Sequence, residues 1–177
     1  MPTYIAMLRG INVSGQKLIK MADLKDLLAS LQLTDIRTYI QSGNVVFEAE
    51  ETDEVLLAKS IEAKIKEKYA FEVPTIVRTR EELLAIIQMN PFVVNEEDNF
   101  SKPYVIFLEN NPDPERVNVV MGFNSENEIF QIIGREVYVT YKSGAGKSKL
   151  TNTFFETKLK TKATSRNWNT VNKLSDF

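Results

Sequence analysis

Two short polar stretches carry most of the chemistry available to this chain. Arg9-Gly-Ile-Asn12 leads into Ser14, Gly15, Gln16 and Lys17, and Gln41-Ser-Gly-Asn44 repeats the mixture of amide, hydroxyl and glycine. Arginine and lysine offer charge to an anion, Asn, Gln and Ser orient it by hydrogen bonds, and glycine lets the backbone come close. A glycine-containing loop that runs into a helix can turn its N–H groups toward a phosphate or carboxylate. The same residue types also have a structural use: Gly and Ser make turns, while Asn and Gln satisfy loop backbone groups.

A third stretch, Tyr141-Lys-Ser-Gly-Ala-Gly-Lys-Ser148, comes near a P-loop but lacks its first glycine, because Tyr141 stands five residues before Gly146. What remains is a Gly-rich loop carrying Lys142, Lys147 and Lys149 beside an expected helix start. Residues 142–173 as a whole hold eight basic side chains against the single acid Glu156, a net +7, whereas the rest of the chain sums to −9. Such a cluster is either solvated or faces an anion.

Composition removes many alternatives. With no His and no Cys there is no Ser-His-Asp triad, thiolate nucleophile, disulfide, or His or Cys metal site. No EF-hand-like or HExxH-like run appears, and no metal or cofactor is assigned. Catalysis would fall to Asp/Glu, Lys, Tyr, Ser/Thr and positioned Arg or Asn. The sequence pI of 5.4 argues against a nucleic-acid-binding domain, which is usually basic as a whole. The N-terminal residues lack a basic leader with a long apolar stretch, and no run approaches a membrane span, so a soluble cytoplasmic protein is expected, without a membrane partner.

These residues must be positioned by regular elements. Residues 3–8 read as a strand, and Met21, Leu24, Leu27, Leu28 and Leu31 fall on one helical face. Residues 35–41 and 44–48 read as a hairpin turning at Ser42-Gly43. Leu57, Ile61, Ile65 and Tyr69 mark a second helix, and residues 73–78 form the next strand. This β-α-β-β-α-β order is the ferredoxin-like split βαβ pattern. Its spatial strand order, 4-1-3-2, places the loop at 9–17 and the hairpin tip at 41–44 on one sheet edge.

Thr79 and Glu82 form a capping box for a short helix ending near Met89, and residues 90–102 look like a linker. A β-α-β-β-α run follows: a strand at 104–108, a helix capped by Asp113-Pro114, a hairpin at 128–133 and 136–141, and a helix at 148–159. Thr164 or Ser165 then caps a last helix, with Arg166 and Asn167 in its first turn and Trp168 on its apolar face. The RNA-recognition module shares the first element order, but Ser42-Gly-Asn-Val-Val-Phe47 lacks that module's basic start and its paired rings. The expected fold is therefore α+β and two-lobed. Residues 1–98 form a ferredoxin-like lobe with a short trailing helix, and residues 99–177 a related lobe with an extra C-terminal helix and the basic segment. No residue-level repeat is visible between them.

The stretches Leu8-Arg-Gly-Ile-Asn-Val13, Tyr39-Ile-Gln-Ser-Gly-Asn-Val-Val-Phe47, Ser148-Lys-Leu-Thr-Asn152 and Thr164-Ser-Arg-Asn-Trp-Asn-Thr170 resemble the signature stretches of the domain-of-unknown-function family numbered 1697. The resemblance implies a small bacterial protein with a two-lobed α/β fold and a ferredoxin-like first lobe, and it brings no activity with it. It also marks Gly10, Gly43, Ser148 and Trp168 among its motif positions. At Ser14 the chain departs from the family's usual Gly, which weakens an argument from bare backbone at that residue.

The expected partner is a small anionic or phosphorylated ligand, a nucleotide among the options. Its candidate site is Arg9, Asn12, Gln41, Ser42, Asn44, Lys147, Lys149, Asn152, Arg166 and Asn167. Two alternatives stand beside this one. The first is an enzyme of the same ligand class, with Arg9 or Lys149 stabilising developing charge and Tyr39 or a carboxylate as acid or base. The second is an interaction module in which the polar motifs only hold loops. Sequence-specific nucleic-acid binding is not expected, and oligomeric state is not indicated.

Overall fold

The computed structural model describes residues 1–50, 53–98 and 102–177. Two compact units divide the chain: Met1–Ala85 together with Leu174–Phe177, and Ile86–Lys173. Each holds one four-stranded sheet with its own helices.

In the first unit the elements are β1 (Thr3–Leu8), α1 (Met21–Ala29), β2 (Thr34–Tyr39), β3 (Asn44–Glu48), α2 (Glu54–Tyr69) and β4 (Thr75–Thr79), followed by α3 (Arg80–Gln88), which belongs to the second unit from Ile86 on. The sheet order is β2-β3-β1-β4 with every pair antiparallel, as the split βαβ pattern requires. β1 reads as an unbroken apolar run because it is buried on both faces. Tyr4, Ala6 and Leu8 point into a core built with Leu24 and Leu28 of α1 and Ile61 and Ile65 of α2, while Ile5 and Met7 are buried on the opposite face. Asp53 caps α2 by accepting from Val55 N (2.8 Å) and Leu56 N (3.1 Å). The capping box is present in both directions, with Glu82 N donating to Thr79 Oγ1 at 3.1 Å and Thr79 N donating to Glu82 Oε2 at 2.9 Å.

The second unit contains β5 (Tyr104–Leu108), α4 (Pro114–Met121), β6 (Glu128–Ile133), β7 (Glu136–Tyr141), a 3-10 turn (Ala145–Lys147), α5 (Asn152–Leu159), β8 (Ala163–Asn167) and α6 (Trp168–Ser175). Its order is β6-β7-β5-β8, again antiparallel throughout. Here the sequence expectation needs correction. Thr164 and Ser165 do not cap the last helix and Arg166 and Asn167 are not in its first turn: all four belong to an eighth strand. Ala163-Thr-Ser-Arg-Asn167 has no strand-like alternation, yet its backbone pairs with the second edge of β5, from Leu108↔Ala163 to Tyr104↔Asn167. A buried central strand needs partners on both edges, and that tertiary demand outweighs local propensity. The cap of α6 is Asn167 itself, whose Oδ1 accepts from Thr170 N at 2.8 Å. Likewise the helix expected from Ser148 starts only at Asn152, with Thr151 as its cap.

The register exposes the residue-level correspondence that the bare sequence hides. Tyr4-Ile-Ala-Met-Leu8 and Tyr104-Val-Ile-Phe-Leu108 occupy matching positions in the two sheets. Arg78 lies opposite Ile5, and Arg166 lies opposite Val105. Both arginines are buried, and each donates from Nη1 to the carbonyl of the residue before it, Val77 at 3.0 Å and Ser165 at 2.8 Å.

Two buried tyrosines of β7 donate to backbone carbonyls outside the second sheet. Tyr138 Oη donates to Ile86 O at 2.7 Å, and Tyr141 Oη donates to Leu150 O at 2.8 Å. Burial raises both phenols well above their ordinary 10.0, reinforced by Glu136 at Tyr138 and by Glu128 and Tyr104 at Tyr141. The unfolded chain therefore ionises these groups first, so their contribution is complete below pH 10 and declines as pH rises above it. Urea unfolding between about pH 9 and about pH 11 should show the native chain losing stability more steeply than the Tyr138→Phe, Tyr141→Phe double variant. Parallel slopes would remove the two phenols from the alkaline transition.

Candidate functional site

The first-unit candidates gather around one side chain. The carboxamide of Asn12 accepts from Ile19 N at 2.9 Å, and its Nδ2 donates to Ile19 O at 3.0 Å and Gln41 O at 2.8 Å. One amide thus closes the loop that leaves β1 and fastens it to the β2–β3 hairpin. Leu8 N donating to Gly43 O at 2.8 Å and Arg9 N donating to Pro74 O at 2.9 Å anchor the loop base. Asn44 works similarly from a buried position, with Nδ2 donating to Tyr39 O at 3.1 Å and Ser42 Oγ at 3.0 Å. Asn12 and Asn44 are therefore scaffold, which settles their bonds on protein atoms. Gln41 and Ser42 are exposed, and Arg9 is half-buried.

Left-handed residues punctuate the loop. Gly10 (φ 72°), Asn12 (55°), Ser14 (51°), Gly15 (72°) and Lys17 (45°) have positive φ, while Ile11, Val13 and Gln16 do not. Ser14 and Gly15 take positive φ in succession, and Asn12 N and Gln16 N donate to Lys17 O at 3.2 Å and Val13 O at 2.9 Å, which closes a tight turn within the loop. Among the described residues, the N–H groups of Gly10, Ser14 and Gly15 donate to no backbone carbonyl. Open space surrounds Gly10 and Gly15, where an added Cβ meets nothing within 4 Å. Gly43 is glycine for another reason, because a Cβ there would stand 2.8 Å from both Ile11 Cδ1 and Leu8 Cβ. The close approach it permits is between two segments of the protein.

The second-unit candidates do not share one role. Lys147 and Lys149 are exposed on the turn between β7 and α5. Because α5 begins at Asn152, Lys147 is not at a helix N-terminus, and the P-loop likeness ends there. Asn152 is half-buried in the first turn of α5, and its Oδ1 is a buried acceptor without a hydrogen bond among the described residues. Arg166 is not on a helical turn facing solvent. It is buried in β8, donating to Thr164 Oγ1 at 3.0 Å and Ser165 O at 2.8 Å. Burial alone draws its guanidinium down from 12.5 to about 10. Asn167 spends its side chain on the α6 cap.

Sequence reasoning missed several features of the first-unit loops. Ile40, a β-branched residue, sits at φ 51°, and Val13, Leu18 and Ile40 are exposed aliphatics around the Asn12 junction. Their alternation resembles ordinary strand and helix flanks, so nothing local marks them. None of the ten candidates lines the cavity of about 690 Å³ beside Leu31, Leu57 and Glu50, nor the one of about 550 Å³ beside Arg116 and Lys158. Among the described residues there is no acid cluster able to hold a metal ion, and no helix long and apolar enough to cross a membrane.

The family described as "Protein of unknown function (DUF1697)" matches residues 1–138, so two of the four signature-like stretches lie beyond the matched region. No curated protein matches the chain. A solved structure described as conserved bacterial protein SP0830 from Streptococcus pneumoniae is similar over 99% of this chain and 97% of its own, at 18% identity and a TM-score of 0.66. That likeness extends to the fold.

Gly43→Ala meets both a clash and a left-handed φ, whereas Gly15→Ala meets only the φ. Urea unfolding should show a loss of about 2–4 kcal/mol for Gly43→Ala and about 1–2 kcal/mol for Gly15→Ala. Equal losses would mean that the Leu8–Ile11 contact does not require the glycine.

Proposed function

Because the chain belongs to DUF1697, a family of unknown function, membership assigns no activity; we propose from the loop geometry that it binds a small anionic ligand, phosphate- or carboxylate-bearing, at the Asn12-tied loops of the first unit. What supports this reading is that the N–H groups of Gly10, Ser14 and Gly15, in the loop that follows Arg9, donate to no backbone carbonyl among the described residues. A water-exposed N–H needs no protein partner, but several on one concave turn next to a guanidinium are complementary to an oxyanion.

Charge supports the same reading. Residues 9–22 include Arg9, Lys17 and Lys20 and no acid, and residues 39–47 include no acid either. Gln41 and Ser42 offer exposed amide and hydroxyl groups at the rim, and Asn12 and Asn44 hold that rim in place. Lys147 and Lys149 add a separate basic surface, whose effect on an anion is long-range and screened by salt. Soluble, cytoplasmic residence fits a ligand of this kind. No reaction is assigned.

Thermal denaturation with inorganic phosphate, sugar phosphates and nucleotides, each at low and high salt, tests the proposal. A ligand near 100 times its dissociation constant adds about 2.7 kcal/mol, a shift of about 5–11 °C for a chain of this size. The shift should persist in high salt, vanish in Arg9→Ala and weaken in Gln41→Ala, while Lys149→Ala retains it. No shift with any anion, or one that disappears in salt, would overturn the reading.

A further inference from the structure

We infer that the second unit carries a separate site for a small zwitterion, a free amino acid with an apolar side chain, in the cavity between α4 and α5. The cavity has a volume of about 550 Å³ and lies at the start of α4 and the end of α5. Charges of both signs line it, with Arg116, Lys158 and Lys160 facing the same space as Asp113 and Glu115. Three cations against two carboxylates leave a net charge of +1. Val119 shares the lining and is 67% exposed, so the cavity also offers apolar surface that nothing in the chain covers.

These charges share one cavity, yet they do not neutralise one another. Among the described residues, the side chains of Arg116, Lys160 and Glu115 make no hydrogen bond and no ion pair. Lys162, two residues beyond Lys160, does find an acid, Glu109 at 3.7 Å. Asp113 has one oxygen committed to the α4 cap, where it accepts from Glu115 N at 2.9 Å. Lys158 Nζ lies 5.0 Å from the centroid of the Phe123 ring. Arg116, Lys160 and Glu115 are therefore the groups left for a ligand.

Opposite charges in one concave site select a ligand by its charge pattern. A carboxylate matches Arg116, whose fork bonds it bidentately, and Lys160 adds a second cation. An ammonium matches Glu115, since an ionised carboxylate only accepts hydrogen bonds. A phosphate dianion or polyphosphate would bring a further negative charge toward Glu115 and Asp113, and that juxtaposition disfavours it. An aliphatic or aromatic side chain on the ligand would cover Val119 and remove both surfaces from water. Lys158 and Lys160 come from the basic segment at residues 142–173, so part of that surplus charge acquires a use here.

Isothermal titration calorimetry of the full chain with the standard free amino acids tests this, with N-acetyl and carboxamide derivatives of any that bind. At least one of Val, Leu, Ile, Met and Phe should bind, and capping either end should weaken it about tenfold or more. Arg116→Gln and Glu115→Gln lie at exposed positions, so both variants should fold, and each should weaken binding by a similar factor. Arg9→Ala should leave amino-acid binding unchanged, and Arg116→Gln should keep the thermal shift with inorganic phosphate, which separates this site from the first-unit loops. No binding by any amino acid, an N-acetyl derivative as tight as its parent, full affinity in Arg116→Gln, or loss of binding in Arg9→Ala would each overturn the inference.

Discussion

A central strand buried on both faces and hydrogen-bonded on both edges is the constraint from which each half of this protein follows. β1 and β5 can satisfy their backbone groups only through neighbours on either side, because no water reaches them. β3 and β7 supply one edge through hairpins, which are the shortest antiparallel connection. The other edge must be filled by a strand that arrives later in the chain, β4 in the first unit and β8 in the second. Helices α1 and α2, then α4 and α5, are the connections that this order imposes, and their apolar stripes cover one face of each sheet.

The same constraint explains why the candidate site is where it is. β1 must leave the sheet beside the tip of the hairpin that pairs with it, so the two polar loops become neighbours before any ligand is considered. Asn12 exploits that proximity by bonding both loops from one carboxamide. Gly43 admits Leu8 and Ile11 against the hairpin where any Cβ would collide. The neighbourhood of the two loops is thus a consequence of strand order, and Asn12 and Gly43 fix it.

The matched arginines show how far the two halves agree. Arg78 and Arg166 hold equivalent places on their edge strands, each donating back to its own strand's preceding carbonyl. Burying a guanidinium is unfavourable unless its donors are met, and for Arg166 the burial lowers its proton affinity appreciably. The register places Tyr4-to-Leu8 and Tyr104-to-Leu108, and with them the two arginines, at equivalent positions of the two sheets.

Much of this was present in the one-dimensional pattern. Leu24, Leu27 and Leu28, the Leu57-to-Ile65 stripe, the Thr79–Glu82 box and the 43% hydrophobic composition determine helices, strands and their order, because periodicity and capping are local properties. The absence of His and Cys decided which chemistries were closed. What only the tertiary structure could decide is where a segment's backbone finds its partners. Thr164-Ser-Arg-Asn167 carries cap-like residues, yet becomes a strand because β5 has an open edge. Arg166, expected in the first turn of a helix, is buried in a strand for that reason, and the Asn12 carboxamide ties two loops because Ile19 and Gln41 come within its reach. Residue types and spacing specify what a side chain can bond; only the fold, by bringing distant backbone together, specifies what it does bond.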